Sequence, residues 1–271
     1  MFLEEEEKSE FKFDQIEGEW QDLAPGVRRK AFEGNEPVRR ILTGHRDREV
    51  GGFWSYKMNA HAAHESEGWE RRAFAVQECH TKVGAFYGQP EALEIRVDDE
   101  QVSPRGKKIV RYFLDDLSII GGLEVRMEFK PLELLQPAKK LDPNDERSVR
   151  RHEKARKLRR KLRLVRQAYR VSGMIWMLLT EREVDAVSHP DVVEDIISNG
   201  GREIDFDDLA RVCAALATSS DRRLPMHRCE ELVRNSDFPR GALLARIPER
   251  VLSVDLREPI DDTTMVRLEK L

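Results

Sequence analysis

The chain has 271 residues, of which 39% are hydrophobic and 36% charged, with a formal net charge of −4. This length allows one large domain or two modest ones, and the high charged share predicts a broad solvated or polyanion-facing surface. Three scattered cysteines without a C-x-x-C pair argue against a disulfide framework or a zinc site and favour a reducing cytoplasm. We expect a cytoplasmic protein without a membrane partner, because no apolar run approaches ~18–20 residues and the acidic start resembles no signal peptide.

Residues 1–50 predict a charged N-terminal arm. The start is acidic up to about Glu19, and a basic stretch from Arg28 to Arg48 follows. The apolar periodicity is weak and Pro25 and Gly34 interrupt it, so the composition favours an extended arm over a folded core. Two interpretations stay open, a solvated tail or a basic arm that contacts phosphate.

Residues 51–187 have the pattern of an α/β domain with a mixed sheet. Ala60 to Cys79 predicts a helix, because Trp69, Ala73 and Val76 recur at helical spacing. Glu70 lies at the edge of this stripe, where a carboxylate requires a metal or a cation as partner. The alternative is that Glu70 only complements the dipole at the start of the helix.

A hairpin follows, with strands predicted from Val110 to Ile120 and from Leu123 to Lys130. Gly121 and Gly122 between them tolerate the positive φ of a two-residue turn. That turn places Asp115 opposite Glu128, and Glu128 shares its face with Lys130. A three-residue turn would instead place Asp116 opposite Glu128, so the choice between the two aspartates stays open.

Two carboxylates and an ammonium at one end of a hairpin indicate a site for a hard divalent cation. Mg²⁺ binds one or two carboxylates together with water and substrate phosphate, and a neighbouring lysine can orient or deprotonate the attacking water. The competing interpretation is a solvated sheet face with ordinary cross-strand ion pairs.

The segment from Lys139 to Arg170 predicts a basic helix. It has 14 basic residues against four acidic ones, which gives a local charge of +10 in an acidic protein. Ser148 is the expected N-cap, and a surface of this charge beside carboxylates favours double-stranded DNA, since each neutralised phosphate releases counterions. The alternatives are a solvated face or one paired with the acidic N-terminus. The expected DNA contacts are Arg150, Arg151, Lys154, Lys157, Arg160 and Lys161.

A buried strand is predicted from Met174 to Thr180, reached by a helical crossover. From residue 188 to 271 the pattern becomes mainly helical. Two helices joined by a tight turn and followed by a short strand predict a smaller winged-helix-like domain, which we expect to contact protein first.

Residues about 51–185 resemble the TnsA endonuclease family of heteromeric transposases, whose core is the PD-(D/E)xK restriction-endonuclease-like fold. Asp115 or Asp116 takes the place of the motif aspartate, although the proline that usually precedes it is absent. The resemblance rests on five ordered segments: Gly52-Phe-Trp-Ser-Tyr-Lys57, His64-Glu-Ser-Glu-Gly-Trp-Glu-Arg-Arg72, Val83-Gly-Ala-Phe-Tyr-Gly-Gln-Pro90, Glu128-Phe-Lys130 and Trp176-Met-Leu-Leu-Thr-Glu181.

The resemblance implies a Mg²⁺-dependent (or Mn²⁺-dependent) endonuclease that cuts one strand at each transposon end. An integrase-type transposase subunit would cut and join the other strand, and the C-terminal region would dock an ATPase regulator. The implied metal ligands are Glu70, Asp115 (or Asp116) and Glu128, with Glu67 as a rival to Glu70. Lys130 would act on the attacking water and Gln89 would lie at the edge of the site.

Two further functions compete with this one. A stand-alone nuclease of the same fold, acting in DNA defence or repair, would use the same residues. A non-catalytic DNA- or partner-binding protein is the other, and the altered sequence before the motif aspartate motivates it.

Overall fold

Strands and helices alternate along the chain in a mixed α/β arrangement, as the sequence predicts. The structure is a computed structural model that describes residues 19–32, 34, 36–38, 51–64, 68–97, 109–137 and 140–269. The strands are β1 (Gln21–Ala24), β2 (Val27–Ala31), β3 (Gly51–Ser55), β4 (Ala60–His64), β5 (Val83–Gly88), β6 (Glu91–Arg96), β7 (Ile109–Phe113), β8 (Asp116–Ile120), β9 (Leu123–Phe129), β10 (Ile175–Leu179), β11 (Arg223–Pro225), β12 (Leu252–Ser253) and β13 (Met265–Leu268). The helices are α1 (Trp69–Cys79), α2 (Leu132–Leu135), α3 (Glu146–Val171), α4 (Glu181–Asp185), α5 (Pro190–Ser198), α6 (Phe206–Thr218), α7 (Met226–Glu230) and α8 (Pro239–Leu244). Within the described ranges, no helix has the length and apolar character needed to cross a membrane.

The chain divides into two compact units. The first comprises Met1–Gly51, Ala63–Trp69 and Phe86–Glu181, and the second comprises Gly52–Ala62, Glu70–Ala85 and Arg182–Leu271. The second unit therefore includes α1, which the sequence assigns to the nuclease domain. The predicted boundaries at residues 50 and 187 stay predictions.

An antiparallel sheet with the order β1-β2-β6-β7 belongs to the first unit. Residues 21–31 form its outer hairpin, which differs from the extended arm that the sequence predicts. These strands lack apolar periodicity because ion pairs between strands stabilise them, for example Arg28 of β2 with Glu94 of β6. Gly26 makes the turn with a φ of 77°. The acidic start up to residue 18 and the basic residues 39–48 lie outside the described residues.

A second sheet has the order β10-β9-β8-β5. Its strands β9 and β10 are parallel, with Val125 beside Ile175 and Phe129 beside Leu179, and α3 is the predicted helical crossover between them. The expectation that β10 is a buried strand is wrong. It is the edge strand, and Ile175 and Met177 are 43% and 45% exposed.

The helix predicted from Ala60 to Cys79 is shorter than expected. Residues 60–64 are strand β4, paired with β3, and the helix begins only at Trp69. The basic helix α3 begins at Glu146, where the side chain of Asp145 caps it by accepting from the backbone amide of Arg147 at 2.9 Å. Ser148, the predicted cap, is instead buried and accepts a hydrogen bond from the amide of Asp142.

The last 80 residues combine helices with a small antiparallel sheet of order β11-β13-β12. The sequence pattern predicts helices at residues 191–198, 207–217, 225–235 and 238–247. Helices α5 and α6 lie close to the first two ranges, whereas α7 and α8 are shorter than the last two. The apolar faces of α5, α6, α7 and α8 pack around Ile196, Val212 and Leu216. These three residues are fully buried in one core that also contains residues of α1.

Candidate active site

The hairpin β8-β9 has the two-residue turn. Gly121 and Gly122 both have positive φ, 58° and 84°, and Ile120 pairs with Leu123. The ladder continues back to Asp116, which pairs with Met127. Asp115 is therefore the residue across from Glu128, just beyond the last pair of the ladder.

Asp115, Glu128 and Lys130 meet at the carboxyl end of β9. The Nζ atom of Lys130 lies 2.8 Å from Oδ2 of Asp115 and 2.7 Å from Oε1 of Glu128. The same ammonium donates to the backbone carbonyl of Phe129 at 3.0 Å, so its three donors meet three acceptors. Asp115 also accepts from the backbone amide of Phe129 at 3.0 Å. We call these three charged residues the carboxylate–lysine cluster.

Asp116 lies on the other face of the hairpin. Its side chain is fully buried and accepts a hydrogen bond from the hydroxyl of Ser118 at 2.6 Å. Adjacent residues of a strand point to opposite faces. The geometry therefore favours Asp115 over Asp116 as the partner of Glu128.

Burial and neighbouring charges shift the pKa values of the cluster. Desolvation, followed by the charge of Asp115, raises the pKa of Glu128 to about 7. Desolvation also disfavours the charged form of Lys130, but the two carboxylates outweigh it and raise the pKa of this amine. Lys130 is thus an ammonium at neutral pH, and the fully ionised cluster carries one net negative charge.

Tyr112 and Trp176 support Glu128 from the neighbouring elements. The Tyr112 hydroxyl donates to Oε2 of Glu128, and the indole N–H of Trp176 lies 3.5 Å from the same hydroxyl. Burial, followed by the charge of Glu128, raises the pKa of Tyr112 well above its usual range, which keeps it a donor. Glu128 is therefore held by one donor on each oxygen.

Gln89 lies beside Asp115, and its role at the edge of the site stays a prediction. Its backbone amide donates to the carbonyl of Asp115 at 3.0 Å, and its own carbonyl accepts from Val38 at 2.9 Å. Gln89 is buried and has a φ of 51°, an uncommon conformation for a residue with a side chain. Backbone strain of this kind concentrates at functional sites.

A buried ion pair, which the sequence does not reveal, lies beneath the cluster. Nε of Arg126 lies 3.0 Å from Oε1 of Glu91, and their side chains are 3% and 2% exposed. The Tyr169 hydroxyl donates to the same Glu91 oxygen at 2.7 Å. Arg126 precedes Glu128 by two residues and so shares its face of β9. The sequence signal for this pair was that Glu91 and Arg126 are charged residues in or directly before predicted strands.

Glu70 occupies the first turn of α1 and is half-buried. It belongs to the second compact unit, whereas the carboxylate–lysine cluster belongs to the first. Its part in a metal site stays a prediction. Glu67, its rival, lies outside the described residues.

The first segment of the resemblance, which contains Ser55 and Lys57, holds the end of α1. Ser55 donates to Glu78 at 2.6 Å, and the amine of Lys57 donates to the carbonyls of Gln77 and His80 at 2.5 and 2.8 Å. These bonds fix the carboxyl end of α1. Burial lowers the pKa of Lys57 to about 8, and the nearby Glu78 opposes that shift.

All six predicted DNA contacts lie on α3. Arg150, Arg151, Lys154 and Lys157 are exposed, and Arg160 and Lys161 are half-buried. Within its 26 residues α3 has 12 basic and two acidic residues, so the basic surface is a property of the helix itself. Arg150 makes an exposed ion pair with Glu146, which a phosphate could replace at little cost.

The donor set of the cluster suits one divalent cation. Among the residues that the structure describes, no three His, Cys, Asp or Glu side chains converge closely enough to hold a metal ion. Mg²⁺, however, is commonly held by only one or two carboxylates with water and phosphate completing its shell. Asp115 and Glu128 supply two, and a cation would offset the negative charge that the buried cluster retains.

No protein-family model matches the chain, and no curated protein matches it.

Proposed function

We propose that this chain is a metal-dependent DNA endonuclease subunit of a heteromeric transposase, which hydrolyses one DNA strand at transposon ends. The carrying observation is the convergence of Asp115, Glu128 and Lys130, with the lysine amine within 2.8 Å of both carboxylates. This is the D-E-x-K constellation of the TnsA family, which the chain resembles. A hairpin followed by a helical crossover to a parallel strand also fits a restriction-endonuclease-like core.

Asp115 and Glu128 would hold Mg²⁺ or Mn²⁺, with Glu70 as the further ligand that the resemblance implies. When bound there, such an ion would supply Lewis-acid activation of water and stabilisation of charge on the phosphate and the leaving oxygen. Lys130 enters as an ammonium because its pKa is raised. It is therefore suited to orient the attacking water and to neutralise phosphate oxygens, rather than to remove a proton. Tyr112 keeps the Glu128 carboxylate in place.

The C-terminal part would supply the protein contacts of this function. Helices α7 and α8 lie where the sequence predicts two helices before a short strand, and together with the three-stranded sheet β11-β13-β12 they suit a winged-helix-like module. We propose that it docks an ATPase regulator, while an integrase-type transposase subunit cuts and joins the second strand.

A non-catalytic DNA-binding protein is the second candidate. One observation favours it, namely that the Lys130 ammonium pairs with both carboxylates of the cluster. A dead nuclease domain would keep such an ion-pair cluster for structure alone. A stand-alone nuclease differs only in its partners.

The test is strand cleavage of duplex DNA with Mg²⁺ or Mn²⁺ by two isosteric variants of β9. Glu128→Gln removes a carboxylate from the cluster, and cleavage should fall at least about 100-fold. Glu124→Gln is the matched control, because Glu124 lies on the same strand and face but is 58% exposed and pairs with Arg126. Equal cleavage by wild type and a folded Glu128→Gln protein would reject the nuclease and leave the second candidate.

A further inference from the structure

Helix α3 extends well past the strands that it connects. Its 26 residues span about 39 Å, whereas the five residues of β10 span about 16 Å. The helix runs antiparallel to β9 and β10, because a crossover between parallel strands must return along them. It ends beside the start of β10, where the amide of Met174 donates to the carbonyl of Tyr169 at 2.9 Å. Its first half therefore projects past the carboxyl ends of both strands, the end of the sheet at which Lys130 lies.

The buried side of α3 changes along its length. Residues 18 apart are separated by five full turns and point in the same direction. Arg147, Arg150 and Arg151 are exposed, but the residues 18 positions later are buried in the core of the first unit. Those residues are Val165, Ala168 and Tyr169. The projecting half thus turns arginines toward the side on which the second half meets the sheets. We call Arg147, Arg150 and Arg151 the inner arginines.

The side of the helix about 100° around from Arg147 shows the reverse pattern. Ser148 is buried, whereas Arg166, 18 residues later, is exposed. The connection from β9 covers this side of the first half, since Asp142 donates to Ser148 at 3.0 Å and Arg159 donates to the carbonyl of Leu135. Arg163, Arg166 and Arg170 are exposed on the second half, and we call them the outer arginines. The two sets have equal charge and lie on different sides of one helix.

The side chains of the carboxylate–lysine cluster lie on the sheet face that α3 covers. Leu117, Arg126 and Trp176 are neighbours across three strands and share one face, to which Glu128 also belongs. Leu117 and Trp176 pack in the same core as Val165 and Tyr169. The inner arginines and the cluster therefore lie on the same side of the sheet, at the carboxyl ends of β9 and β10.

We infer that the inner arginines bind the phosphate backbone of the duplex DNA that the cluster cleaves, to one side of the scissile bond, and that the outer arginines do not. The assignment rests on the proposed function and deepens it by fixing which side of α3 the DNA occupies. Along the axis of α3, Arg150 lies about 12 residues before the point level with the carboxyl ends of β9 and β10. This separation is about 18 Å. For a DNA strand that follows the axis of α3, the contacted phosphates would lie about five nucleotides from the scissile bond, since phosphates on one strand are about 3.4 Å apart.

The experiment compares two triple variants of the full chain on a 40-base-pair duplex of mixed sequence. Arg147→Gln/Arg150→Gln/Arg151→Gln removes the inner set, and Arg163→Gln/Arg166→Gln/Arg170→Gln removes the outer set. Glutamine keeps good helix propensity, so both proteins should melt near the wild type. Binding by the inner variant should weaken at least tenfold at about 100 mM salt, and its salt slope should fall by about two to three, one unit for each lost phosphate contact. The outer variant should bind within about twofold of wild type.

The outcomes separate this inference from the nuclease proposal. Equal weakening by both variants, or unchanged binding by the inner one, overturns the inference even if the wild type cuts DNA. A loss confined to the inner variant supports it even if no metal supports cleavage, in which case the nuclease proposal alone fails.

Discussion

The buried pair of Arg126 and Glu91 makes a quantitative prediction about the support of the cluster. Glu91→Leu removes an acceptor that lies 3.0 Å from Arg126 and 2.7 Å from the Tyr169 hydroxyl. Among the described residues, the guanidinium would keep its 3.0 Å ion pair with Glu124, which is 58% exposed, and its position 5.8 Å from the Tyr169 ring centroid. Breaking a buried pair in this way costs about 3–5 kcal/mol, because a charge is left uncompensated.

Arg126→Met in the Glu91→Leu background should recover most of that loss, since two apolar side chains of similar volume replace the pair. The lost hydrogen bond of Tyr169 and the lost 3.5 Å contact of Arg29 with Glu91 should remain as a cost of about 1–2 kcal/mol. The assay is urea unfolding followed by circular dichroism, with the four proteins of the double-mutant cycle compared in the transition of the first unit. A cost of Glu91→Leu below about 1 kcal/mol, or costs that simply add, would refute the reasoning.

Three further predictions concern buried polar groups. Because the pKa of Glu128 is raised to about 7, the folded metal-free protein binds its proton more tightly than the unfolded chain. Stability should therefore fall by roughly 3 kcal/mol as pH rises from about 4.5 to 7, and the melting temperature of Glu128→Gln should lack this part of the pH dependence. Lys57→Met should destabilise the second unit by about 2 kcal/mol in urea unfolding, through loss of two bonds to the end of α1, whereas the exposed Lys82→Met should stay within about 0.5 kcal/mol. Asp208→Ala should cost about 2–4 kcal/mol in the same assay, because its fully buried carboxylate accepts two backbone amides at 3.0 and 2.8 Å and pairs with Arg211.

The cluster was predictable from sequence because one local feature sets it. Gly121 and Gly122 fix a two-residue turn, and strand alternation then places Asp115 across from Glu128 and beside Lys130. The choice between Asp115 and Asp116 needed the register itself, since the residues between them and the turn alternate acceptably either way.

Other features cannot be predicted from the hydrophobic periodicity of the sequence. Strands β1 and β2 are charged, and cross-strand pairs such as Arg28 with Glu94 organise them. The Arg126–Glu91 pair joins residues 35 apart in the chain, so no local window contains it. The shift of the buried side along α3 depends on what the connection from β9 covers, and amphipathicity averaged over 26 residues hides it.

The most direct test of the central claim compares Asp115→Asn with Asp116→Asn in metal-dependent cleavage of duplex DNA, with folding verified by thermal melting. Asp115 contacts Lys130 at 2.8 Å, whereas Asp116 is buried against Ser118 on the other face. The account predicts that Asp115→Asn loses at least about 100-fold in single-turnover cleavage and that folded Asp116→Asn still cuts. Wild-type cleavage by Asp115→Asn would contradict it.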